Sequence, residues 1–118
     1  MKVNVLFAGI PVTNFEVSRS WYEVLLGRAA DIPVHETEVM WRIGGAAWMY
    51  VVADPERAGR SLVAMAVSDL GRTITEIEAR GITVEKIENV GDAGRKATVL
   101  DPDGNSVAII EVSHQGEG

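Results

Sequence analysis

Leu100-Asp101-Pro102-Asp103-Gly104-Asn105 is the stretch from which the rest of the chain is read. Asp101 can hydrogen-bond its own backbone two residues on, Pro102 presets φ for the second position of a type I turn, and Gly104 takes the fourth. On either side run Lys96-Ala97-Thr98-Val99-Leu100 and Ser106-Val107-Ala108-Ile109-Ile110, both of strand length and rich in β-branched or aliphatic side chains. The residues predict a tight antiparallel strand pair.

Upstream of that pair, Ile82 to Glu88 reads as a strand, and Gly81 as the end of a helix capped by Asp69 or Ser68 with Leu70, Ile74 and Ile77 on one face. Ser61 to Val67 supplies a strand ahead of that helix. The first half shows the same order. Val3 to Ile10 is a strand ended by Pro11. Asn14 caps a helix with Val17, Trp21, Val24 and Leu25 at helical spacing, and Gly27 closes it. Arg28 to His35 is confined by Pro33 to an edge strand or loop. Glu38 to Ile43 and Ala46 to Val52 are two strands around Gly44-Gly45. With those glycines as the turn centre, Trp41 faces Trp48 and Val39 faces Tyr50, so Trp41, Trp48 and Tyr50 share one face of the sheet.

Each helix is led in by an apolar residue, a hydroxyl residue and a capping Asx: Val12-Thr13-Asn14 and Val67-Ser68-Asp69. This internal repeat predicts an α+β fold of two βαβββ modules, residues 1–53 and 61–112. A polar linker at 54–60 joins them, and a frayed tail follows at 113–118. Neither module can bury its strand face alone, so the expected product is a curved mixed sheet, or cup, with helices on the convex face.

With 118 residues, 47% of them hydrophobic, the chain is long enough for one domain with a substantial core. A formal charge of -6 disfavours nucleic acid and anionic membrane surfaces, which require a basic face. The absence of cysteine excludes disulfides and thiolate chemistry and leaves the cytosol as the expected address. The apolar run Val3-Asn4-Val5-Leu6-Phe7-Ala8 reads as a first strand rather than a leader, and no apolar run approaches the roughly 20 residues of a membrane helix. No phosphate loop, nucleophile elbow or dinucleotide fingerprint occurs.

Val12-Thr13-Asn14-Phe15-Glu16-Val17-Ser18-Arg19-Ser20-Trp21-Tyr22 with Leu26-Gly27, Val67-Ser68-Asp69-Leu70 with Ala79-Arg80-Gly81, and Asp101-Pro102-Asp103-Gly104-Asn105 together resemble the vicinal oxygen chelate superfamily. This is the superfamily of glyoxalase, bleomycin resistance protein and extradiol dioxygenase. In its metal-dependent members four strands each offer a His, Gln or Glu to an ion. The resemblance carries those positions onto Phe7, about Trp48, Leu62 and Ala108. A divalent ion needs N or O donors near 2.0 to 2.3 Å, and these side chains have none. The resemblance therefore implies no cofactor and a cup lined by Phe7, Trp41, Trp48, Tyr50, Leu62 and Ala108, which takes a hydrophobic or aromatic small molecule as antibiotic-binding members do. It also implies a homodimer that completes the pockets.

Two other classes stay open: a lyase-, isomerase- or dioxygenase-like enzyme acting through Tyr50, Glu111, another carboxylate or a non-standard metal site, and a non-catalytic dimeric interaction module whose cup is filled by its own side chains. His35 and His114 fall on no family ligand position and read as solvated. Glu36 and Glu38 read as a wet edge strand, and Asp101 and Asp103 as turn chemistry. Arg42, Arg95 and Lys96 are candidate rim counter-ions for an acidic ligand.

Overall fold

Asn14 starts the first helix as its residue type predicts: it is extended (φ -112°, ψ 99°) and its side chain accepts a hydrogen bond from Val17 N at 3.2 Å. In the computed structural model, which describes residues 1–91 and 94–111, that helix is α1 (Phe15–Leu26). It ends at Gly27, whose φ of 78° is the left-handed conformation that favours glycine. Around α1 lie β1 (Leu6–Val12), β2 (Ile32–His35), β3 (Glu38–Ile43) and β4 (Ala47–Ala53) in the order β1-β4-β3-β2, with β1 parallel to β4 and the other pairs antiparallel.

The second half repeats this arrangement. It comprises β5 (Leu62–Ala66), α2 (Leu70–Ala79), β6 (Lys86–Asn89), β7 (Arg95–Leu100) and β8 (Ser106–Glu111). The sheet order is β5-β8-β7-β6, again with the first strand parallel to the last. Asp69 is the cap of α2, accepting from Arg72 N at 3.0 Å. Leu70 and Ile77 are fully buried, as their spacing predicts. The expected α+β fold of two βαβββ modules is what the chain forms.

The chain divides into two compact units, one of Met1–Ser61 with Asp101–Asn105 and the other of Leu62–Leu100 with the residues from Ser106 onward. The turn 101–105 thus packs with the first unit. Its predicted chemistry is present: Asp103 N and Asn105 N both donate to Asp101 Oδ1 at 2.9 Å, and Gly104 N donates to Asp101 O at 2.9 Å. Asp101 Oδ2 also accepts from Asn105 Nδ2 at 2.9 Å and from Tyr22 Oη at 2.8 Å, so a buried carboxylate has every lone pair engaged. The two oxygens of Asp103 accept from Thr13 N and Thr13 Oγ1 at 3.1 and 2.6 Å.

Four expectations need correction. Pro11 lies inside β1 rather than ending it. Its carbonyl points away from β4 and accepts from Asn105 Nδ2 at 3.0 Å, so its nitrogen faces the open edge, where a missing N–H breaks no ladder. The core stripe of α1 is Phe15, Ser18, Tyr22 and Leu25, while Val17 and Val24 are 51% and 37% exposed. Bulk misled the reading: Val17, Trp21 and Val24 also share a helical stripe, but not the one facing the sheet. The strand expected from Ile82 begins at Lys86, because Ile82 N bonds Ile77 O at 3.1 Å and the side chain is buried as part of the α2 exit.

The fourth correction concerns the sheet face. The loop between β3 and β4 has three residues, Gly44, Gly45 and Ala46, so Ile43 pairs with Ala47, Trp41 with Met49, Arg42 with Trp48 and Met40 with Tyr50. A slip of one residue moves a side chain to the other face. Trp41 therefore stands with Val39, Met49 and Val51 in the core, wholly buried, with its ring 6.4 Å from that of Tyr22 and its Nε1 donating to Arg28 O at 3.0 Å. It does not share a face with Trp48 and Tyr50.

Candidate functional site

Strand alternation sets what the first unit presents on the sheet face away from α1. β1 contributes Phe7, Gly9 and Pro11, β4 contributes Trp48, Tyr50 and Val52, and β3 contributes Glu38, Met40 and Arg42. Phe7 pairs with Trp48 and Gly9 with Tyr50 across the parallel β1–β4 ladder. Phe7 is 54% exposed, and Trp48 and Tyr50 are half-buried.

Gly9 makes room for Tyr50. A Cβ at position 9 would stand 2.4 Å from Tyr50 Cζ and 2.6 Å from its Oη, so the phenol lies flat across the bare backbone of β1. There the ring borders a cavity of about 320 Å³ lined by Gly9, Pro11, Tyr50, Val52, Asp54, Arg57, Arg60 and Ser61. The segment read as a linker is thus also a cavity wall. Gly59 (φ 93°) shapes it, since the carbonyl of Asp103 passes 2.8 Å from where a Cβ would sit. Pairing the Asn105 carboxamide with Ser61 N at 2.9 Å fixes the end of the wall.

In the second unit, Leu62 and Ala108 lie on the sheet face away from α2 and border one depression of about 240 Å³ with Ala64, Lys96, Thr98 and Ile110. Leu62 is 85% exposed. Of the six expected lining residues, then, Phe7, Trp48 and Tyr50 share one face in the first unit, and Leu62 and Ala108 share one in the second. Trp41 belongs to the core.

The polar candidates are mostly engaged. Glu111 Oε1 accepts from Leu70 N at 2.7 Å at the start of α2 and stands 3.7 Å from Arg95 Nη2. Lys96 Nζ stands 3.7 Å from Glu88, and Arg42 Nη2 donates to Gly45 O at 2.8 Å. His35 Nε2 lies 3.2 Å from Glu38 Oε1 within the exposed β2–β3 hairpin, and His114 lies outside the described residues. Asp31 accepts from Arg42 N at 2.7 Å and from Arg28 Nη1, which together hold its carboxyl below the usual carboxylate range. Within neither unit do three His, Asp or Glu side chains among the described residues converge as a metal site. Phe7, Trp48, Leu62 and Ala108 offer no donor atoms, so the family's metal does not fit the residues at these positions.

A family model of the Glyoxalase/Bleomycin resistance protein/Dioxygenase superfamily matches residues 4–109. The chain belongs to this superfamily. Among solved structures it is similar to a glyoxalase/bleomycin resistance protein from Catenulispora acidiphila DSM 44928, at 36% identity and a TM-score of 0.88 over 94% of this chain and 100% of that one. Two more distant structures share the fold. TnmS3, an antibiotic binding protein from Streptomyces sp. CB03234, is 23% identical (TM-score 0.76, covering 95% and 98%). Lactoylglutathione lyase from Agrobacterium tumefaciens is 16% identical (TM-score 0.78, covering 91% and 92%). No curated protein matches the chain. A superfamily that takes in glyoxalases, bleomycin resistance proteins and dioxygenases fixes the fold and leaves the chemistry to the side chains. Among the described residues no helix is long and apolar enough to cross a membrane.

Proposed function

We infer that this superfamily member binds a hydrophobic or aromatic small molecule without a metal ion, on sheet faces that include Phe7, Trp48 and Tyr50 in the first unit and Leu62 and Ala108 in the second. The observation that carries this reading is the pairing of Phe7 with Trp48, two large aromatic side chains on an accessible face. At these positions the superfamily resemblance places metal ligands. Aromatic faces stack on planar ligands, and a ligand site needs only a few polar anchors beside them. An antibiotic binding protein among the structural neighbours supports small-molecule binding by analogy. A catalytic role for Glu111 is disfavoured, because its carboxylate already serves the start of α2 and Arg95.

A cytosolic address and a homodimer go with this reading, and light scattering on the purified protein measures the second. Tryptophan emission tests binding. Titration with planar aromatic drugs and metabolites should give a saturable change that persists in Trp41→Phe and Trp21→Phe and is lost in Trp48→Phe. Failure of every compound to perturb the emission would defeat the proposal.

A further inference from the structure

The cavity beside Tyr50 carries polar groups that an apolar binding face does not require. Arg57 Nη1 stands 3.4 Å from Asp54 Oδ2, while the guanidinium of Arg60 and the phenol oxygen of Tyr50 have no hydrogen-bond or ion-pair partner among the described residues. The floor is Gly9, Pro11 and Val52, three positions without polar side chains. Two guanidinium groups and one carboxylate leave this wall with one net positive charge, in a chain whose formal net charge is -6. Among the residues that line the cavity, Arg60 is thus the cation not matched by a carboxylate.

We propose that this cavity takes the anionic end of a planar monocarboxylate, with Arg60 as counter-ion, the Tyr50 hydroxyl as hydrogen-bond donor and the Tyr50 ring and apolar floor against the ligand's flat body. This rests on the small-molecule reading above and names the ligand class of its site. A guanidinium meets a carboxylate through two parallel N–H donors, a match that an ammonium lacks. The neighbouring Asp54 carboxylate opposes a dianion such as a phosphate monoester, whereas a single negative charge balances the wall. A volume of about 320 Å³ suits a compact aromatic acid, at the lower end of the usual size of ligand sites. Arg60 comes from the loop and Tyr50 from the sheet, and Gly9 lets the phenol lie low enough to leave the space open.

Isothermal titration with matched pairs tests the proposal: naphthalene-2-carboxylate against its primary amide, and indole-3-acetate against indole-3-acetamide. In the wild-type protein each acid should bind about tenfold or more tightly than its amide, the advantage of a charge-assisted hydrogen bond. Raising the salt should narrow the gap. Arg60→Gln should abolish the preference, with the acid losing far more affinity than the amide and the thermal midpoint unchanged, and Arg60→Lys should restore part of it. Equal affinity for acid and amide in the wild type would overturn the monocarboxylate assignment and leave small-molecule binding standing. Binding of neither partner of either pair would overturn the monocarboxylate assignment, while the small-molecule reading stands or falls on the tryptophan titration above. A preference for the acid that survives Arg60→Gln would overturn the role of Arg60.

Discussion

Tyr22 on α1 and Asp101 at the turn are 79 residues apart in the chain and meet in a 2.8 Å buried hydrogen bond from the phenol to the carboxylate. Asp101 holds its own turn through Oδ1 and Tyr22 and Asn105 through Oδ2. Local turn chemistry and the packing of the first unit therefore depend on the same carboxylate.

Replacing Tyr22 with Phe keeps the ring and removes one of four donors to Asp101. The expected loss is about 1–2 kcal/mol, the cost of a hydrogen bond to a charged group, read as a lower urea midpoint at unchanged slope. Asp101→Ala strands Tyr22 Oη and two backbone amides and leaves Asn105 Nδ2 with Pro11 O alone, and should cost about 3–5 kcal/mol.

Tyr22 also sets an alkaline limit. Burial, then the charge and hydrogen bond of Asp101, push its hydroxyl far above the ordinary phenol value of 10.0. The folded state keeps the proton that the unfolded state releases, so this stability is complete below pH 10 and declines as the pH rises further. The slope is about 1.4 kcal/mol per pH unit for one group. Unfolding measured from pH 8 to 11 should show this decline in the wild type, and the difference from Tyr22→Phe isolates it.

The two β-strand tryptophans have opposite fates. Trp41→Ala should cost about 3–5 kcal/mol, since the ring is wholly buried and its Nε1 holds Arg28 O. Trp48→Ala should cost far less and should weaken binding of planar ligands. Thermal melts and titrations of the two variants, compared side by side, check this reversal.

Glycines at 9 and 59 separate local fit from backbone strain. Gly9→Ala requires only that the outer end of the Tyr50 ring move, so stability should change by about 1 kcal/mol or less while ligand affinity falls. At Gly59 an added Cβ meets the Asp103 carbonyl, and the positive φ disfavours any L side chain. Gly59→Ala should lose about 1–3 kcal/mol in denaturant unfolding.

Much of the fold is legible in the sequence because capping and turn residues act locally. Asn14, Gly27, Asp69 and the Asp101–Asn105 turn each do what their types prescribe, and the repeated lead-in to the two helices exposes the doubled module. What is not legible depends on a single residue of register or on distant partners. Gly44-Gly45 signals a turn, but whether two or three residues close it is decided by the whole ladder, and that choice moved Trp41 into the core. Pro11 reads as a terminator unless the strand is known to be an edge. Arg57 and Arg60 look like linker solubility groups until the chain has placed them beside Tyr50, 7 and 10 positions away in sequence. Ser61 and Asn105 gave no signal of their pairing, 44 residues apart.

In the proposed function aromatic side chains, not a metal ion, hold the ligand on the face of Phe7, Trp48 and Tyr50. Elemental analysis of the native protein, combined with titration of a planar aromatic ligand before and after dialysis against a strong chelator, separates the two. Metal content should be well below one ion per chain, and the chelator should leave the affinity unchanged. A stoichiometric transition metal whose removal abolishes binding, and whose return restores it, would overturn the proposed function.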